Sequence, residues 1–154
     1  MDKFNFAEVK QRLTATRREL LVTLSHQAQN YFLRSFKNQG WDGTAWKNVQ
    51  RRIEGTKSFK YPKTKGLQRR TSPILIGAGY RVRGGTLRRA VSTMARTATV
   101  QNNGFKMIVD LDYAAYLNEG TDKMAKRQFV GQTSELTDMQ KRKIEQVITK
   151  IWQA

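Results

Sequence analysis

Cysteine is absent from this 154-residue chain, which excludes disulfides, thiolate metal sites and cysteine nucleophiles together. Histidine occurs once, as His26, so neither a His-rich metal site nor a paired-histidine acid–base device is available. Acidic residues are scarce: 12 Asp and Glu stand against 29 Lys and Arg, a formal net charge of +17 at pH 7. No apolar run approaches the roughly 18 residues of a membrane span. The opening MDKFNFAEVKQ lacks the apolar stretch of a secretory signal. A soluble chain made in a cytoplasm, with no membrane contact, is therefore expected.

Hydrophobic residues make up 38% of the chain, below a globular average of roughly 45–50% that also counts glycine. Seven Phe, five Tyr and three Trp still provide large apolar side chains for a compact core. The length suits a single domain, residues 1–154, since roughly 100–200 residues per domain is usual. The charge is not spread evenly along it. Residues 42–96 hold 14 basic and 2 acidic side chains, so +12 of the +17 lies in the middle third. Self-repulsion disfavours compact folding of such a segment on its own, and its field attracts anionic partners.

Apolar residues Phe6, Val9, Leu13, Leu20, Leu24, Tyr31 and Phe36 recur at helical spacing and predict one long helix over 6–39. Val22, Ala28 and Phe32 widen its stripe, so one broad face is expected to be buried. Gly40 suits the left-handed residue that ends a helix. The span of roughly 50 Å exceeds what a small domain needs, and surplus helix of this kind packs on neighbouring subunits. Residues 40–72 read as irregular, 73–79 (PILIGAG) as a short strand or apolar anchor, and Thr86 as the N-cap of a short helix. Segments 94–101 and 105–112 predict a hairpin turned by Asn102-Asn103-Gly104, with Asn-Gly as a type I′ pair. Phe105, Met107, Val109 and Leu111 share its apolar face; Lys106, Ile108, Asp110 and Asp112 share the other. YAAYLNEG reads as a brief helix closed by Gly120. Thr137 and Gln140 suggest a capping box, with Asp138 at the positive end of a helix over about 138–152. Met139, Ile144, Val147, Ile148, Ile151 and Trp152 form its expected buried stripe. The fold class is α+β: long N-terminal and C-terminal helices on a small, mainly antiparallel sheet, with a basic irregular arm over 42–90.

Chemistry is sparse. His26 has no supporting carboxylate or serine at useful spacing and reads as a helix-surface residue. Asp110 and Asp112 share a strand face and represent the one arrangement suggestive of a metal-dependent nuclease, although acidic residues offsetting nearby Lys and Arg are the commoner occurrence. Gly77, Gly79, Gly84 and Gly85 fit no phosphate-binding loop, and no cofactor is expected. The arm is the strongest signal. Lys47, Arg51, Arg52, Lys57, Lys60, Lys63, Lys65, Arg69, Arg70, Arg81, Arg83, Arg88 and Arg89 alternate with Trp41, Trp46, Phe59, Tyr61 and Tyr80. That mixture suits phosphate contact with base stacking and suits a protein interface equally well. No helix-turn-helix, RNP or zinc-finger pattern frames it.

Three stretches follow one another: FKNQGWDGTAWKNVQRR, ILIGAG…GGTLRRAVS, and YAAYLNEGTDKMAKRQFVGQTSEL. In this order they resemble the phage virion-morphogenesis proteins of the tail-completion family, over about residue 30 to the end. The positions that carry the resemblance are Phe36, Gly40, Gly43, Trp46 and Arg51/Arg52; Leu87, Arg88 and Arg89; Tyr113, Ala114, Asn118, Glu119 and Gly120; and Arg127, Phe129 and Gly131. The chain departs from the family in an insertion between Ala78-Gly79 and Leu87. It departs again at Ala125-Lys126, where a proline often precedes the R-x-F motif. The resemblance implies a non-enzymatic structural protein of a tailed phage or prophage virion, assembled in the host cytoplasm. It would be a neck or tail-end subunit, such as a head–tail connector or tail terminator, in a homo-oligomeric and commonly hexameric ring. Its partners would be copies of itself, neighbouring neck, tail-tube or tail-terminator proteins, and genomic DNA through non-specific contact. The alternatives are a stand-alone basic nucleic-acid-binding module and, behind it, the nuclease.

Overall fold

A computed structural model describes residues 5–62, 69–76, 84–101 and 103–153. Helix α1 runs Phe6–Asn38 over 33 residues. The Asn5 side chain caps it by accepting from the Glu8 amide at 3.3 Å, which satisfies one of the orphan N–H groups of the first turn. At its other end the left-handed residue is Gln39 (φ 53°, ψ 38°), not Gly40 as the sequence suggests. Side-chain bonds accompany this conformation: the Gln39 amide donates to Phe36 O at 2.6 Å and accepts from Ile74 N. Gly40 serves a different purpose. A Cβ there would lie 2.5 Å from Thr44 O, so only glycine lets the chain fold back this closely.

That return is a miniature hairpin, β1 (Gly40–Trp41) paired with β2 (Thr44–Ala45). Asp42 (φ 47°) and Gly43 (φ 76°) form its turn, the paired positive φ values of a type I′ turn. The described part of 40–72, residues 40–62 and 69–72, is thus less irregular than expected. After a 3₁₀ turn at Gln50–Arg52 comes α2 (Lys57–Lys60), where the Thr56 hydroxyl accepts from Phe59 N. Within the expected strand or anchor over 73–79, Ile74 is a buried anchor; residues 77–79 lie outside the described residues. Helix α3 (Thr86–Thr93) is preceded by Gly85 in the left-handed conformation. Thr86 is therefore its first residue and not its cap.

The second hairpin, β3 (Thr99–Gln101) and β4 (Gly104–Lys106), pairs Gln101 with Gly104 and Thr99 with Lys106. It is shorter than expected; Gly104 of the expected turn is a strand residue, and Asn102 lies outside the described residues. The alternation predicted through Asp112 persists in burial: Phe105, Met107, Val109 and Leu111 are half-buried while Lys106, Ile108, Asp110 and Asp112 are exposed. Helix α4 (Ala114–Glu119) ends at Gly120 (φ 82°) as expected. Helix α5 (Ser134–Gln153) begins one turn earlier than the sequence suggests. Thr133 caps it, its hydroxyl accepting from Leu136 N at 3.1 Å, so Thr137 and Asp138 lie inside the helix.

The result is an α+β fold with, among the described residues, two separate two-stranded antiparallel sheets. Helix α5 runs antiparallel to α1: Glu135 meets Tyr31 and Arg34, Met139 meets Gln27, and Ile144 to Ile151 line a groove with Leu13 to Leu20. The core gathers where the C-terminal half of α1 meets α3, α4 and α5, around Phe32, Phe36, Trp46, Leu87, Val91 and Phe129. Burial along α1 starts at Leu24. The predicted broad buried face is therefore only half realised, and Phe6, Leu13 and Val22 stay exposed. The α5 stripe is likewise partial: Met139, Ile144, Val147 and Ile151 are only half-buried and Ile148 and Trp152 are exposed, while the buried residue of the helix is Leu136, outside the expected stripe. No described helix is long and apolar enough to cross a membrane.

Candidate functional site

Two neighbouring structures hold nearly all the residues that the sequence singles out. The first is a junction beneath β1 and β2. Phe36 at the end of α1 packs edge-on against Trp46 at 5.8 Å between ring centroids and, tilted by 48°, against Phe129 at 5.7 Å. Edge contacts of this kind add to area burial because the positive ring edge meets the negative face. Trp46 is 7% exposed and Phe129 1%. The Trp46 indole donates to Gln128 O at 2.7 Å, which leaves its buried N–H satisfied. Arg127, 9% exposed, donates from Nε to Lys47 O at 3.2 Å and from a terminal nitrogen to Asn48 O at 3.4 Å. Burial pushes its guanidinium below the usual value, because the charged form loses hydration.

Asn118 on α4 completes the junction. Its carbonyl oxygen accepts from Phe129 N at 3.0 Å and from Val130 N at 3.1 Å, so one side chain holds two backbone donors of the R-x-F stretch. Arg127 N donates to Leu117 O at 2.8 Å. Gly120 is needed here: its φ is positive, and a Cβ would meet Lys126 N at 2.9 Å. A side chain at Gly131 would press on the Gln128 amide. Leu87 and Ala114 are buried in the adjoining core and Glu119 is exposed. Tyr113 is half-buried with a hydroxyl lacking a hydrogen-bond partner, and burial raises its phenol pKa.

The second structure is the basic arm, and its cations divide into two groups. Arg51 donates to Arg69 O at 2.9 Å, Ser72 O at 2.9 Å and Pro73 O at 2.7 Å. Arg52 donates to Ser72 O at 2.8 Å. Arg70 donates to Phe59 O and lies 3.9 Å over the Phe59 ring, a cation–π contact. Arg89 donates to Gly84 O and to Thr86 Oγ1. These guanidiniums tie loop carbonyls together, which five fixed donors do better than one ammonium. Burial, with the charges of Arg52 and Arg127 nearby, pushes the Arg51 guanidinium below its usual value. Lys47, Lys57, Lys60 and Arg88 form the other group, exposed and with no side-chain hydrogen bond or ion pair among the described residues. Arg69 is exposed as well. Lys63, Lys65, Arg81 and Arg83 lie outside the described residues.

Only two ion pairs occur among the described residues, Arg12 with Glu8 and Arg34 with Glu135, and neither touches the arm. Lys47, Lys57, Lys60 and Arg88 thus carry no ion pair among the described residues. His26 is exposed on α1. Asp110 and Asp112 are both exposed, and no group of three or more His, Cys, Asp or Glu among the described residues is placed to hold a metal ion. Sequence reasoning named Asn118 only as a motif position, without its backbone-holding role, and missed Gln39, whose amide joins Phe36 O to Ile74 N, because a backbone-binding carboxamide looks like any other in a sequence. Compared with known proteins, the chain matches no family model, no curated protein and no solved structure.

Proposed function

We propose that this chain is a structural, non-enzymatic subunit of a tailed phage or prophage virion, completing the tail or joining tail to head within a homo-oligomeric ring. The observation that carries the reading is the convergence of its motif positions. Phe36 and Trp46 of the first motif stretch and Asn118, Arg127 and Phe129 of the third meet at one hydrogen-bonded, aromatic junction. The ordered motifs therefore act together as a scaffold, and they anchor the root of the basic arm through the carbonyls of Lys47 and Asn48. Half of α1 extends beyond the core, which suits a subunit completed by its neighbours.

In this reading the arm meets an anionic partner, either a neighbouring neck, tail-tube or tail-terminator protein or the DNA that crosses the neck. Native mass spectrometry and light scattering of the full chain test it: a closed ring, or a stable complex with a neck or tail protein, is expected. A monomer at every concentration that binds no such partner contradicts it. A second reading, a stand-alone nucleic-acid binder, draws on the uncompensated Lys47, Lys57, Lys60 and Arg88. It requires duplex binding whose log–log salt slope is about −0.9 per phosphate contact, and it fails if reversing the arm's charge leaves infectious tails intact.

A further inference from the structure

The segment that follows β4 remains unpartnered. After Lys106 the chain keeps a strand-like alternation of exposure to Asp112, yet the ladder with β3 stops at Lys106. Among the described residues, Met107, Ile108 and Asp110 make no backbone hydrogen bond. A two-residue hairpin closes on a hydrogen-bonded pair, here Gln101 with Gly104, so the N–H and C=O groups of Phe105 and Met107 point away from β3. This is an open sheet edge. Ile108 stands on it 59% exposed.

Open edges are usually guarded by like charges that repel a second edge. Here the signs differ: Lys106 and Asp110 lie two residues to either side of Ile108. We propose that this edge pairs with the same edge of a second copy, antiparallel about a twofold axis through Ile108. That register sets Lys106 opposite Asp110 of the second copy, Asp110 opposite its Lys106, and Ile108 against Ile108. On the half-buried face it sets Met107 opposite Val109. The register is self-complementary, as an isologous contact must be. In the edge's own alternation, Lys106, Ile108 and Asp110 all fall at non-hydrogen-bonded sites, where opposing side chains come closest. Leu111 N donates to Val109 O at 2.9 Å, a tight turn centred on Asp110 that ends the pairing window at that residue; the Val109 carbonyl keeps its second lone pair for Met107 N of the second copy. The contact joins copies in twos and is separate from any ring-closing surface, which must run head to tail.

The test uses the absence of cysteine. Opposed Cα atoms at a non-hydrogen-bonded site are about 4.5 Å apart, within the disulfide range. Full-length Ile108→Cys, with oxidised glutathione accepting the two electrons, is expected to form a covalent dimer at least about tenfold faster than Tyr116→Cys, a collision control for a site that is 58% exposed. Adding Asp110→Lys, or Lys106→Asp, to the Ile108→Cys chain brings the rate down to that of the control. Mixing those two double variants restores mixed dimers, because Asp then faces Lys at both positions. Equal rates at positions 108 and 116, or a rate unmoved by Asp110→Lys, overturns the proposal. If the Ile108→Cys chain forms a ring but no faster cross-link than the control, the edge pairing falls and the ring reading stands.

Discussion

Arg127 and Arg51 lie near enough for their charges to interact, and both give their donors to backbone carbonyls, but they belong to regions with opposite surfaces. At the junction, Arg127 is enclosed by the Trp46 and Phe129 region, and the cation is used up in holding two strands of loop together. In the arm, Arg51 and Arg52 play the same part for residues 69–73, while Lys57 and Lys60 beside them bind nothing among the described residues. Net charge therefore overstates the interface. Arg51, Arg52, Arg70 and Arg89 build the arm, and in the proposed reading Lys47, Lys57, Lys60 and Arg88 are left to meet a partner.

The largest effect expected from this contrast is at the junction. Phe129→Ala removes a side chain that is 1% exposed and should cost about 3–5 kcal/mol, read as a lowered midpoint in urea denaturation. Lys57→Glu should stay within about 0.5 kcal/mol of wild type. Equal losses at the two positions would erase the distinction. Next in size is Arg127→Met, which keeps the apolar stem but strands the carbonyls of Lys47 and Asn48; about 1–3 kcal/mol is expected. Arg127→Lys should recover little, since an ammonium cannot reproduce the fork.

Charge reversal of Lys57 and Lys60 sharpens the comparison from the other side. If the arm meets DNA, the pair should flatten the salt slope of binding by about 1.8, at about 0.9 per contact, without a change in thermal midpoint. A lowered midpoint instead would place these lysines in the scaffold. The smallest effect is a pH dependence. Burial raises the Tyr31 phenol above its ordinary 10.0, with Glu135 adding to the rise and the Thr133 hydrogen bond opposing it. The unfolded chain then loses that proton before the folded one does. Stability should be full below pH 10.0 and decline as pH rises beyond it. Tyr31→Phe should shallow that decline in alkaline denaturation.

Periodicity makes the helices legible because it reports which face is apolar, and α1, α4 and α5 lie close to where their apolar and glycine signals put them. It does not report how far along a helix the rest of the protein reaches. The exposed half of α1 is thus invisible in the sequence, since Phe6 and Leu13 carry the same signal as Phe32 and Phe36. The Asp42-Gly43 turn is available as a hairpin signal but lies within a stretch whose lack of period hides two-residue strands. Gln39 takes the left-handed position from Gly40 through side-chain bonds to residues in α1 and near Ile74, contacts that only the tertiary fold brings together. The division of the arm's cations is not legible at all. Arg51, Arg52, Arg70 and Arg89 bind backbone carbonyls, and every sequence has those.

The most direct test of a tail-completing role is electron microscopy of particles assembled in a host lacking this protein. Unjoined heads and tails, or tails of abnormal length, are expected, with normal particles restored when the chain is supplied in trans. Intact, infectious particles of normal tail length in its absence would contradict the assembly role.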